Sequence, residues 1–278
     1  MIDIGMGDWI KDYNGYLLMK FTSKYRYQQR FLDGKLFFNT SDFFARCDDA
    51  GRGDHHEGNA IVVNESEKST TSLRYEIING QVCLIEEDYT NNMSEYRKSN
   101  VFSYSPAENR RRKVMSFYTM YINFDNEQVS PFADNMSKEF GEYGIIILDR
   151  QEFFDRIEKA LKKQNEIKKA QLGFVEYHDI KPGVNHWHPF KKDKNKFKYQ
   201  NEFRITFIND NDKCFTLDLE KSLRDIAVPI QAKDINEIYF KDGNLMYPVY
   251  KKYLLRRFIY KMTEPFVKYG PVSRFSTK

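Results

Sequence analysis

The segment Tyr199-Gln200-Asn201-Glu202-Phe203-Arg204-Ile205 places an amide and a carboxylate two residues apart, at the start of an alternating apolar run. Residues i and i+2 of a strand share a face, so Gln200 and Glu202 point the same way if the strand begins there. A carboxylate held beside an amide can bind a ribose hydroxyl and stabilise an oxocarbenium-like centre, the electrostatic task of glycosidic-bond chemistry. The same spacing puts Arg204 next to Glu202, which gives the alternative of an ion pair on one strand face. Arg204 can also serve the site by orienting the carboxylate.

Other constellations carry less. The loop Gly51-Arg52-Gly53-Asp54-His55-His56-Glu57-Gly58 holds hard oxygens and imidazoles that suit a transition metal, or acids that could meet a substrate. Adjacent histidines on a loop need not converge, so no metal is expected there. His178 and His186-Trp187-His188 lack a clear carboxylate or cysteine partner. Ser103 and Ser105 have no nucleophile-elbow glycines, and no phosphate-binding Gly-x-x-x-x-Gly-Lys or Gly-x-Gly-x-x-Gly motif occurs.

Three segments together resemble the pattern of the ADP-ribosyltransferase superfamily: Lys20-Phe21-Thr22-Ser23 on a first strand, Ser103-Tyr104-Ser105 on a middle strand, and Gln200-Asn201-Glu202 on a late one. The resemblance implies that Glu202 polarises the nicotinamide ribose and that Gln200 positions the acceptor. It also implies that Lys20, Thr22, Ser103 and Ser105 hold NAD, with Lys20 standing where such transferases usually carry Arg or His. A basic-aromatic segment precedes the glutamate, which makes the DNA- and RNA-modifying toxins of the DarT type the first comparison. That comparison implies substrate contacts from Lys194, Lys196, Phe197, Tyr199 and Arg204. The chain is also similar in its order of short motifs to a bacterial family of mobile and phage-defence loci. The implied function is an NAD-using effector or toxin acting on a nucleic acid or protein target.

Charge leaves other classes open. Forty-four Lys and Arg against 40 Asp and Glu give a net charge of only +4, too little by itself to argue a polyanion partner. The cations are clustered, however, at Arg110–Lys113, at Lys191–Lys198 and at Lys251–Arg257. Phe190, Phe197 and Tyr199 flank or interrupt the second cluster, and rings among cations are what stacking on bases requires. A metal-dependent nuclease or nucleic-acid-binding protein is therefore one alternative, and a non-enzymatic regulatory module another. Cys47, Cys83 and Cys214 form no Cys-x-x-Cys pair, which argues against a disulfide scaffold and for a reducing compartment. With no signal-like start and no apolar run of spanning length, a cytoplasmic protein without a membrane partner is expected.

The elements that must position these residues read as an α+β fold, a single mixed domain over residues 1–278 with a central, largely antiparallel sheet and flanking helices. Tyr16–Phe21 and Lys35–Asn39 read as strands, each followed by a helix that Ser23 and Ser41 can cap. Asn79-Gly80 marks a hairpin turn. Arg111–Tyr121 spaces Val114, Phe117, Tyr118 and Tyr121 for a helix face, and Arg150–Lys169 does so more clearly. Gly144–Leu148, Leu172–Tyr177, Phe203–Ile208, Cys214–Leu219 and Ile235–Phe240 read as strands. The lysine-rich stretch between Tyr177 and Lys198 reads as a loop, and 247–262 as a basic amphipathic helix.

Overall fold

The structure is a computed structural model that describes residues 15–48, 51–54, 56–64, 71–78, 81–88, 101–103, 105–133, 135–180, 183–241, 244–246 and 272–274. The basic helix expected at 247–262 lies outside the described residues. The chain opens with β1 (Gly15–Thr22), α1 (Tyr25–Leu32), β2 (Lys35–Thr40) and α2 (Ser41–Arg46). The cap of α2 is Thr40, whose hydroxyl accepts from the Phe43 amide at 3.1 Å, and α1 starts after Lys24 with no side-chain cap. Next come β3 (Asn59–Asn64), the hairpin pair β4 (Thr71–Ile78) and β5 (Gln81–Asp88), and β6 (Val101–Ser103).

The stretch after Pro106 departs from its helical spacing. The helix there, α3 (Pro106–Arg111), is short, and β7 (Arg112–Asn123) runs through the residues whose spacing fitted a helix face. From Lys113 to Asn123 every residue except Ser116 is buried, so β7 is covered on both faces and shows no two-residue alternation. A strand of that kind cannot be told from a buried helix by period alone. After β8 (Gln128–Val129) and α4 (Asn135–Phe140) come β9 (Tyr143–Ile147) and α5 (Arg150–Lys162), which is capped by the Asp149 carboxylate. The helix ends at Lys162 rather than 169, because no apolar residue stands between Leu161 and Ile167. Beyond that turn the chain is β10 (Ile167–Phe174), with Ile167, Ala170 and Leu172 in the core.

The lysine-rich stretch is not an irregular loop. It folds as β11 (Glu176–His178), β12 (Gly183–His186), β13 (Lys191–Asp193) and α6 (Lys194–Phe197), followed by a 3-10 turn over Lys198–Gln200. Trp187, Phe190, Lys192 and Phe197 are buried there and anchor it. The chain continues through β14 (Glu202–Asn209), β15 (Phe215–Asp218) and β16 (Ala227–Gln231). Residues 235–240 are split between a 3-10 turn, Ala232–Glu237, and β17 (Tyr239–Lys241), which pairs with β18 (Asn244–Met246). The last described strand is β19 (Val272–Arg274).

Among the described residues one ten-stranded sheet dominates, with β16, β9, β1, β7, β14, β10 and β19 side by side and all its pairs antiparallel. Alternate residues feed two cores. Leu18, Phe117, Phe203 and Ile205 pack with Phe153, Ile157 and Leu161 of α5. Met19, Tyr118 and Ile146 pack on the other face with Phe132, Met136 and Ile235. Full burial of each such side chain stabilises the fold by roughly 1.5–3 kcal/mol.

The sheet is split at one place. β1 and β7 are paired from Gly15 and Ile122 to Met19 and Tyr118. Beyond that pair β1 stays with β9 as far as Thr22 and Tyr143, whereas β7 pairs with β2 at Asn39–Val114 and Thr40–Lys113. The two strands therefore part after Met19 and Tyr118, and a cavity opens between them.

Gly141 closes α4 against the rim of that opening. Its φ is +108°, and a Cβ there would run into the Thr22 carbonyl and come within 2.5 Å of the Ser23 backbone. Gly141→Ala should cost about 2 kcal/mol or more, read as a loss of roughly 4–8 °C in melting temperature. An unchanged melt would show that the rim yields without strain.

Candidate functional site

At the floor of the cavity, Glu202 opens β14 and Arg204 follows on the same face, opposite Tyr118 and Ser116 of β7. The spacing-based ion pair forms: Arg204 Nε lies 2.7 Å from Glu202 Oε1. Arg204 Nη1 reaches Glu57 Oε2 at 2.8 Å and also donates to the Pro189 carbonyl. Lys192 Nζ sits 2.8 Å from Glu202 Oε2 and donates to Gln200 Oε1 at 2.7 Å. All five residues are at most 5% exposed.

Local chemistry explains how they converge. Gln200 ends the 3-10 turn rather than entering the strand, and Asn201 follows at φ +40°, a left-handed conformation that Asn tolerates. The Asn201 carbonyl accepts from the Thr119 amide at 2.8 Å, which fixes the turn against β7. The Glu202 amide donates to the Tyr177 hydroxyl at 2.8 Å, and its carbonyl accepts from Val175. Gln200 Nε2 donates to the Gly51 carbonyl at 2.7 Å, holding the glycine-rich loop to the floor. Gly51 has no room for a side chain, since Glu139 lies across it.

The electrostatics follow from burial against pairing. Burial alone would raise the Glu202 carboxyl, but Arg204 and Lys192 outweigh it and hold the group well below its ordinary range, so it is ionised. Burial raises Glu57, against the pull of Arg204 and with Asp54 and Glu202 adding to the rise. Arg204 is depressed by burial, yet the two carboxylates push it well above its usual value.

Cations outnumber acids around the cavity. The cavity, about 500 Å³, is lined by the cations Lys20, Arg30, Lys35, Arg52, Lys192 and Arg204, with Glu202 the one carboxylate among the described lining residues. Lys20 reaches across the split in the sheet, where Nζ donates to the Ser116 carbonyl at 2.7 Å. Burial lowers its pKa to about 8, Glu202 opposes that fall, and Arg52 adds to it. Rings of Phe21, Phe117 and Tyr118 fill the space between the charges.

The residues implied by sequence are distributed unevenly. Lys20, Thr22, Gln200, Glu202 and Arg204 all line the cavity. Thr22 is on the rim, its hydroxyl 3.3 Å from the Lys24 carbonyl. Ser105 is exposed and caps α3 in a reciprocal box with Glu108, the Glu108 amide donating to its hydroxyl at 3.2 Å. Ser103 belongs to β6, in a separate sheet with β3 and β12, and its side chain lies outside the described residues. Lys194 and Lys196 are exposed, with Lys194 3.4 Å from Asp179. Phe190 and Phe197 are buried and thus withdrawn from base stacking, and the Tyr199 hydroxyl donates to Glu139.

Lys192 and the role of Glu57 were not legible in the sequence. Lys192 is one lysine in a run, and only its burial on β13, next to the equally buried Asp193, distinguishes it. Among the described residues no three His, Cys, Asp or Glu side chains gather as a metal-binding group. In the glycine-rich loop, Asp54 accepts from the His56 amide at 2.9 Å and Glu57 faces Arg204. No protein-family model, curated protein or solved structure matches the chain.

Arg204→Met removes the cation shared by two buried carboxylates and should cost about 3–5 kcal/mol in a urea melt; a cost below about 1 kcal/mol would show that the network contributes little. Because Glu202 is held below its ordinary value of 4.5, the stability it supplies is complete above that value and lost as pH falls beneath it. The wild-type melting temperature should fall between about pH 5 and pH 3, and Glu202→Gln should flatten that fall.

Proposed function

We propose that the protein binds NAD in this cavity and uses it as an ADP-ribosyl donor. The observation that supports this most is the charge arrangement: cationic walls that suit a pyrophosphate, around one ionised, buried carboxylate. Of the four lining cations outside the floor network, Lys35 pairs with Asp218, and Lys20, Arg30 and Arg52 would take the phosphates. The aromatic lining suits flat heterocycles. Where β1 and β7 part, the Ser116 carbonyl turns into the gap, a partner for a primary carboxamide once Lys20 moves to an anion.

NAD supplies a ribosyl–nitrogen bond whose cleavage releases neutral nicotinamide. Glu202 would hold a ribose hydroxyl and stabilise the positive charge that develops at the anomeric carbon. An ionised carboxylate offers about four acceptor positions, and Arg204 and Lys192 occupy only part of them. Gln200, tied to Lys192 and Gly51, would fix that carboxylate's direction rather than react.

A second reading is favoured by one observation: Glu202 already has two cationic partners, which suits a nucleotide-binding module without turnover. Glu202→Gln separates the two. Under the transferase reading NAD consumption falls by about a hundredfold or more while calorimetric binding of NAD changes little. Equal consumption by the variant would remove Glu202 from the chemistry, and no binding or consumption by folded wild type would remove NAD altogether. Lys20 adds a pH test. With its pKa at about 8, an anion is bound best below that value, and affinity should fall as pH rises through it. Lys20→Met should abolish that pH dependence.

A further inference from the structure

Besides Lys35, which Asp218 holds, the lining cations outside the floor fall into two groups. Lys20 and Arg52 are the inner one. Lys20 donates to the Ser116 carbonyl at 2.7 Å and Arg52 Nε to the Glu139 carbonyl at 3.1 Å. Arg52 adds to the fall that burial imposes on the Lys20 pKa, so each lies in the other's field. A pyrophosphate bears a charge on each phosphorus, and this pair of cations matches it.

Arg30 belongs to the outer group. It lines the cavity from α1, three residues after Tyr27, so the two side chains share a helix face. Arg26 lies over the Tyr27 ring at 5.0 Å and donates to its hydroxyl at 3.2 Å. Arg26 above all, with Lys24 and Arg30 after it, holds the Tyr27 phenol below its ordinary value, so three cations surround one ring. From Ser23 to Leu32 the chain has no acidic residue. The acids nearby are matched, Asp33 by Arg224 and Asp218 by Lys35. Tyr27, Phe37 and Phe43 line the same cavity at 39%, 53% and 44% exposure, and a flat base laid on them would relieve the cost of rings left in water.

We infer that the dinucleotide of this cavity is the one phosphorylated on its adenosine ribose, NADP in preference to NAD, with the extra phosphate on Lys24, Arg26 and Arg30 and the adenine on Tyr27, Phe37 and Phe43. The inference rests on the dinucleotide reading of the cavity and names which dinucleotide it takes. A phosphate monoester carries about −2 charge at pH 7 and three acceptor oxygens, which suits a cluster of cations that the pyrophosphate does not need. The nucleoside itself joins the two groups. Its pyrophosphate leaves the ribose at the 5′ carbon and the monoester at the 2′ carbon, so one adenosine presents anions in two directions. A polyphosphate chain presents them in one.

The test is calorimetric titration of the full chain with 2′,5′-ADP and 5′-ADP, isomers that differ only in where the second phosphate sits, beside NADP and NAD. The first of each pair should bind at least about tenfold more tightly, the scale of a charge-assisted contact. Arg30→Gln should reduce that preference, and the combined Lys24→Gln, Arg26→Gln and Arg30→Gln variant should abolish it. Both should keep the wild-type melting temperature, because the three side chains are exposed. Equal affinity for the two isomers in wild type, or a preference that survives the triple change, would overturn the inference. Consumption is read separately. NAD bound and consumed as well as NADP defeats this inference alone, whereas the 2′-phosphate preference without consumption of either dinucleotide defeats the transferase reading alone. Binding of none of the four removes the dinucleotide from the cavity and this inference with it.

Discussion

The buried guanidinium of Arg204 is the constraint around which the site is arranged. A cation at 3% exposure is tolerable only if its donors are matched, and its partners come from three places in the chain. Glu202 is a strand neighbour, Glu57 comes from the glycine-rich loop, and the Pro189 carbonyl comes from the turn before β13. Satisfying one side chain therefore fixes the loop, the turn and the strand end relative to one another. Lys192 and Gln200 extend the same logic, since each bonds a group already fixed by another.

The floor is neutral overall, with Glu57 and Glu202 set against Arg204 and Lys192. This neutrality lets an ionised carboxylate stand inside a cavity whose walls are cationic. Without the two inner cations Glu202 would be pushed towards its neutral form by burial. Lys20 and Arg52 lie further out, bonded to the Ser116 and Glu139 carbonyls, and burial shifts the charge of Lys20 towards neutral pH against the pull of Glu202.

The legible parts of the sequence were those in which a local period matches the final burial. β14 alternates cleanly: Phe203, Ile205 and Phe207 enter one core while Glu202 and Arg204 face the cavity, so the strand and its ion pair could be read from spacing. The mixed fold and its antiparallel sheet were legible for the same reason. β7 was not, because it is buried on both faces and its apolar residues also satisfy a helical spacing. β16 was missed because Pro229 interrupts a short apolar run, yet it holds an edge of the described sheet beside β9, as proline permits. Lys192 and Glu57 depend on contacts across 10 and 147 residues, and no local pattern marks them.

The parting of β1 from β7 places two strand edges inside the molecule rather than at its border. An unpaired edge is ordinarily a template on which another strand can add. Here it lies within a charged cavity, and the Lys20 ammonium occupies the Ser116 carbonyl. A lysine at that position acts as a gatekeeper: an incoming strand would have to displace and desolvate it before the ladder could extend. The opening can thus resist insertion of a neighbouring chain, and the same side chain would bear on solubility during folding.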